Sequence, residues 1–257
     1  MFLYFLMFMG FFDVFAKNYD ITLMSTIENT KPTQFDEFIK GVAVNIKTDQ
    51  KVVALTLDAC QGKYDKKMFE ILRKHNIPAT LFVTSRWIDQ NQESFKLLSN
   101  NKMFEIENHG TSHKPLTVAG QVVYGIKGSN SPEEAFYEIN NNANTIEKYT
   151  GIRPIFYRSG TAHYDDVGIK IANLLDHTLM GFDVLSGDAA NPLAPADFIV
   201  SQVMLNVKNG SIIIMHMNHP EWNGAEALDI LIPALKQNEY EFILLRDYKN
   251  SLEFFNS

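Results

Sequence analysis

Two histidines four residues apart, His109 and His113, lie in the stretch Glu105-Ile106-Glu107-Asn108-His109-Gly110-Thr111-Ser112-His113. In a helix that spacing puts both imidazoles on one face, and a tight turn leaving a strand end can also aim two rings at one point. Two converging imidazoles suit a borderline divalent ion such as Zn²⁺. The motif is not the metalloprotease helix H-E-x-x-H, because Gly110 stands where that motif needs its glutamate base. Further residues of catalytic type are Asp58, Arg158, Asp183, Asp188 and His216, and each follows a short apolar run.

The elements that must position them are legible from periodicity. Residues 52–57 form a near-continuous apolar run of strand length, and 64–76 carry Met68, Phe69, Ile71 and Leu72 at helical spacing. The alternation continues with a strand at 79–83, a helix at 87–99 and a strand at 103–107 that leads into the histidines. A Gly-rich connection over 117–130 is long for a structureless loop, and such loops tend to be functional insertions. Ser131 as N-cap, Pro132 at the first helical position and Glu134 start a helix that stops at Gly151. Strands at 154–157, 178–184, 212–215 and 242–245 then alternate with helices at 166–175, 195–207 and 225–236, the last of which Pro233 should bend or shorten. Apolar runs of this kind are buried on both faces, which predicts a parallel sheet in an α/β barrel or a doubly wound fold. In either, sites are built at the carboxyl ends of the strands, where Asp58, His109, His113, Arg158, Asp183, Asp188 and His216 fall.

The chain has 257 residues, 46% hydrophobic and 21% charged, which fits a globular domain with a sizeable core. A net charge of −7 without a basic block argues against a nucleic-acid partner. Residues 2–12 are apolar apart from Tyr4 and Gly10, and Val14-Phe15-Ala16 precedes Lys17 like a cleavage site. Residues 1–16 therefore read as a signal peptide, shorter than the ~20 residues of a membrane span. An exported protein of the periplasm or cell envelope is expected, touching a membrane only through this segment if it is uncleaved. Residues 17–50 form an N-terminal extension with short-strand candidates at 22–24 and 42–46, and 51–257 the catalytic domain. Cys60, the single cysteine, excludes an internal disulfide and is compatible with a bacterial periplasm.

The strand-end pattern over residues 52–245 resembles the polysaccharide deacetylase family (carbohydrate esterase family 4). The family's first motif, T-F-D-D-G, reads Thr56-Leu57-Asp58-Ala59-Cys60, and its second, H-S/T-x-x-H, reads His109 to His113. The third, an Arg-Pro-rich turn ending in Gly, keeps Arg158 and Gly160 but lacks the prolines. The fourth, D-x-D-x-x-D-W after an aromatic, keeps Asp183 and Asp188 and loses the Trp. The fifth, an apolar strand ending L-H, is matched by Ile212-Ile213-Ile214-Met215-His216.

The resemblance implies a distorted parallel (β/α) barrel of about seven strands. It also implies a metal-dependent hydrolase that removes an N-acyl group, acetyl or formyl, from an amino sugar in a glycan or a lipid-linked sugar. His109 and His113 would hold the divalent metal, Zn²⁺ by preference. Asp58 would be the base, Arg158 would orient it, and His216 would be the acid, paired with Asp188 or Asp183. Ala59 departs from the family, whose second Asp ligates the metal. Either Asp58 moves to the metal, or the histidines hold it with water and another carboxylate such as Asp65. Ala59 also supports an alternative, a catalytically inactive carbohydrate-binding relative, whereas the retained His109, His113 and His216 support the hydrolase.

Several neighbours read more plainly. Cys60 is expected to be a buried small residue, because a nucleophilic cysteine needs a base within reach. His163 and His219 read as loop residues. Trp87, Tyr164 and Trp222 are candidates for stacking on sugar rings, although buried aromatics are commoner than sugar platforms.

Overall fold

The computed structural model describes residues 21–27 and 29–256, so the signal peptide expected at 1–16 lies outside the described residues. The ten strands used below are β1 (Val42–Ile46), β2 (Val52–Ala59), β3 (Ala79–Val83), β4 (Phe104–Asn108), β5 (Phe156–Tyr157), β6 (Thr178–Met180), β7 (Val184–Leu185), β8 (Ser211–His216), β9 (Glu241–Ile243) and β10 (Leu252–Phe254). The helices are α1 (Lys66–His75), α2 (Ser85–Gln90), α3 (Gln92–Ser99), α4 (Pro132–Thr150), α5 (Asp166–Leu174), α6 (Ala196–Asn206) and α7 (Gly224–Gln237).

Seven strands close a barrel in the order β8-β2-β3-β4-β5-β6-β1 and back to β8. The pairings are parallel except the last, an antiparallel bridge between Ser211 and Asn45. Strand β2 is buried along its whole length because it has apolar neighbours on both faces. Val53, Leu55, Leu57 and Ala59 pack into an outer layer with residues of α1 and α7, and Ala54 packs with Phe82, Phe156, Ile212 and Ile214 inside the barrel. The two-residue period of a strand then turns Thr56 and Asp58 inward as well.

The seventh barrel strand is β1, not the strand expected at 242–245. That segment forms β9, which pairs with residues 52–54 of β2, on the stretch that β3 leaves free. Strand β10 covers β1 from outside the ring. The strand expected over 178–184 breaks after Met180 and resumes as β7 beside β8. The helix expected over 87–99 is two helices meeting at Asn91. Helix α7 continues through Pro233 to Gln237, so the proline does not shorten it. Residues 22–24 lie in a 3-10 turn, Ile21–Thr26, rather than a strand. The Gly-rich connection holds a small hairpin, Val122–Val123 with Ile126–Lys127, turned by Tyr124 and Gly125 at φ 51° and 76°. Helix α4 begins and ends as expected, with Ser131 Oγ accepting from the Glu134 N–H and Gly151 at φ 71°.

Candidate active site

Asp58 and His216 face each other in register on the adjacent parallel strands β2 and β8. Arg158 follows β5 and is fully buried, with its guanidinium over the Phe82 ring. Its Nη1 donates to Asp58 Oδ1 at 2.7 Å and to Thr56 Oγ1 at 2.9 Å, while Nη2 and Nε donate to the carbonyls of Gly181 and Met180. Every side of the guanidinium is thus occupied, which fixes the carboxylate it holds. Burial pushes the Asp58 carboxyl up, but the Arg158 guanidinium, helped by His216, outweighs it and leaves the group below the usual range. Asp58 is therefore ionised and ready to accept a proton.

His109 and His113 are carried by the loop after β4, which three side chains lock. Asn108 Oδ1 accepts from the Gly110 N–H and from Asn142 Nδ2. Glu138, reaching over from α4, accepts from the Ser112 and Lys114 N–H groups at 2.8 and 3.2 Å. A Cβ at Gly110 would come within 2.5 Å of Glu138 Oε1, and Gly110 has φ 83°, so glycine is required there. His113 itself has φ 61°, and Gly160 allows that backbone in: a Cβ on Gly160 would stand 2.3 Å from the His113 carbonyl carbon. The turn after Arg158 and the turn bearing His113 are therefore fitted to each other.

His109 Nδ1–H donates to the Arg158 carbonyl at 2.9 Å, which leaves the Nε2 lone pair facing the site. Nε2 lies 3.6 Å from Asp58 Oδ2 and 3.8 Å from Cys60 Sγ. The two imidazoles stand 5.1 Å apart, edge to face. Burial lowers His109, and burial and then His109 pull His113 down to about 3, so both rings are neutral with lone pairs available. Ligand atoms of Cys60, His109 and His113 lie within 4.8 Å of one another. Neutral imidazoles and a sulfur converging from three sides fit a borderline divalent cation.

His216 is paired with Asp188, and Asp183 is not involved. His216 Nδ1 donates to Asp188 Oδ1 at 3.0 Å, and the His216 N–H donates to Oδ2 at 2.7 Å. Ser186 Oγ and the Ala189 N–H complete the carboxylate's contacts. Burial works against a charged His216, yet the Asp188 carboxylate and then Asp58 outweigh it and raise its pKa. Asp183 instead ties β1 to β8, accepting from Asn45 Nδ2, Ser211 Oγ and the Ile212 N–H.

The remaining candidates sort cleanly. Asp65 is the N-cap of α1, with Oδ1 accepting from the Met68 N–H, so it is occupied away from the histidines. Trp87 and Tyr164 are buried, and the Tyr164 hydroxyl donates to the Met180 carbonyl, which rules out sugar platforms. Trp222 is partly exposed, stacked on His219 at 3.8 Å and 6.0 Å from His216, at the rim of the site. His163 lies against Phe35 and Tyr124. Cys60 is only partly buried and points at His109, unlike the packed small residue expected. Burial, followed by the Asp58 and Asp188 carboxylates, pushes its thiol up, so it is no nucleophile in this environment. Glu138 escaped the sequence reading, since a glutamate on a helix ordinarily faces water; Gly110 opposite it was the one trace.

Residues 45–180, just over half of the chain, match the family described as polysaccharide deacetylase. The chain is 26% identical over 196 residues to YlxY of Bacillus subtilis, covering 75% of this chain and 55% of that protein's length. It is 24% identical over 211 residues to a peptidoglycan-N-acetylglucosamine deacetylase of Bacillus cereus, covering 80% of this chain and 92% of the relative. Among solved structures, a carbohydrate esterase family 4 pseudoenzyme from Bacillus anthracis superposes with a TM-score of 0.67 at 25% identity, covering 78% of this chain and 66% of that one. The barrel, the strand-end residues and the match agree, and the chain belongs to the polysaccharide deacetylase family.

Proposed function

We propose that this protein is a metal-dependent hydrolase that removes an acetyl or formyl group from the nitrogen of an amino sugar in a cell-envelope glycan. The observation that carries the reading is the opposite tuning of two facing side chains: Asp58 is held ionised by Arg158, and His216 is held toward imidazolium by Asp188. That is the pairing a base and an acid need to act in one turnover. In this reading His109 and His113 hold a divalent ion, Zn²⁺ by preference, which supplies Lewis-acid polarisation of the acyl carbonyl and of water. Asp58 takes the proton from the attacking water, its orientation fixed by Arg158. His216 gives a proton to the departing amine while Asp188 holds the ring by Nδ1 and stabilises its charge.

Peptidoglycan is the first substrate to test, since it is the substrate named for the Bacillus cereus relative; a lipid-linked amino sugar is the second. A signal peptide at residues 1–16 would deliver the enzyme to the periplasm or cell envelope. The test is acetate and formate release from N-acylated peptidoglycan fragments by the purified protein, before chelation, after it, and after zinc is restored. Acid release that follows the metal supports the reading. A second reading, a sugar-binding protein without turnover, is favoured by Ala59 and by the pseudoenzyme likeness. Tight glycan binding with no acid release under any metal would establish it instead.

A further inference from the structure

We propose that the Cys60 thiolate is the third protein ligand of the metal, in place of the carboxylate that position 59 lacks. The inference rests on the metal site of the preceding reading and names a donor that the family pattern does not contain.

Three observations carry it. First, position 59 is the wrong place for a donor in this chain. Ala59 is the last residue of β2, pairs with Val83, and packs in the outer apolar layer with residues of α1 and α7. The chain leaves the sheet one residue later, and Cys60 is the side chain that turns to the histidines. Second, the spacing suits a shared ion. Tetrahedral zinc with N and S ligands keeps its donor atoms about 3.3–3.6 Å apart; Cys60 Sγ lies 3.8 Å from His109 Nε2, and the whole set with His113 lies within 4.8 Å, so a short inward movement of the side chains brings it to that spacing. His109 is almost fully buried, and among the described residues its Nε2 has this sulfur at 3.8 Å and Asp58 Oδ2 at 3.6 Å beside it. Third, the other candidates are occupied. Asp65 caps α1; Asp58 Oδ1 is held by Arg158, and although Asp58 Oδ2 lies 3.6 Å from His109 Nε2, the donor atoms that converge with both histidines are, among the described residues, those of Cys60, His109 and His113. Asp58 is thereby left free to serve as base, and the choice between base and ligand resolves in favour of base.

Coordination has a defined balance. A neutral thiol and a hydrated divalent ion give a metal thiolate, and the thiol proton leaves to solvent. A soft donor also biases the site: thiolate favours zinc or cobalt over magnesium, calcium or manganese. The Thr84 hydroxyl, which donates to the Cys60 carbonyl at 2.5 Å, and the Asn218 side chain, which donates to the Gln61 carbonyl, hold the turn that aims the sulfur.

Cobalt(II) absorption tests this without reference to activity. Cys60 is the only cysteine, so a sulfur-to-cobalt charge-transfer band in the near ultraviolet can have no other source. The expected result is such a band at one cobalt per chain in the intact protein. In Cys60→Ser it should be absent, with metal affinity at least about tenfold weaker, the scale on which a ligand or its support is felt. One cobalt per chain with no charge-transfer band would overturn the thiolate ligand and leave the metal hydrolase standing. No metal bound under any condition would overturn both. If Cys60→Ser does not fold, the spectrum of the intact protein decides alone.

Discussion

Two regions of the barrel interior both bury acids, and they treat them in opposite ways. At the carboxyl end, Asp58 meets Arg158 at 2.7 Å and Asp188 meets His216 at 3.0 Å, so each carboxylate has a cation or a proton donor of its own. Further down the lumen, on the strand that ends at the metal loop, Glu105 and Glu107 lie side by side. Glu105 takes Arg246 and Thr80, whereas Glu107 accepts from the Ile155 and Phe156 N–H groups and hydrogen-bonds the Glu105 carboxyl. Burial and then the Glu105 carboxylate push Glu107 well above the usual range, so it keeps its proton. Equal burial thus gives a charged acid in one place and a neutral one in the other, and the presence of a dedicated cation decides which.

Arg158→Ala should break the first half of that contrast with the largest effect. It strands Asp58 as an uncompensated buried charge, at a cost of about 3–5 kcal/mol, measurable by urea unfolding, with loss of turnover. A variant of unchanged stability would mean that Asp58 is reached by water. His216→Ala should lower turnover by roughly 10²–10⁴ while cobalt or zinc stoichiometry is kept; loss of both would make the residue structural.

Asp188→Asn sharpens the comparison by removing a charge and keeping the shape. The carboxylate favours imidazolium, so its loss lowers the His216 pKa. The alkaline limb of the pH–rate profile should move to lower pH by roughly 1–3 units, with substrate affinity little changed. Glu107→Gln should have the smallest effect. Because native Glu107 holds a proton that the unfolded chain releases above about pH 4.3, its contribution to stability falls as pH rises toward the folded pKa. The variant should therefore lie within about 1 kcal/mol of the parent at pH 5 and gain on it toward pH 8, read from urea midpoints. Asp58 has the reverse slope: its contribution is present above about pH 4 and is lost as pH falls through the lowered native value.

The barrel and the converging side chains were legible because strand ends in parallel α/β folds are marked twice, by an apolar run and by the polar residue after it. Asp58, His109, Arg158 and His216 each carry that mark. Asp183 and Asp188 do not separate on it, since both follow the same run. What divides them is the break after Met180, which sends Asp183 to Asn45 and Ser211 and leaves Asp188 for His216. The role of β1 was hidden because a five-residue strand in a weakly patterned stretch shows nothing of its distant neighbours. The direction of Cys60 was hidden because the cysteine is the first residue beyond β2, where period-two alternation no longer says which way a side chain turns.

Strand β1 has a consequence for how the molecule comes to exist. It leaves the ribosome before any other strand of the ring, yet its partners Leu179, Ser211 and Leu252 all lie in the last third of the chain. Such distant pairing makes folding slow, since a long loop must close before the contacts reward it. The ring cannot shut until the chain has been made through β8, and a polypeptide that stays open so long is still able to be threaded through a secretion pore. For the envelope protein proposed above, the same strand that seals the finished barrel would also set the time available for export.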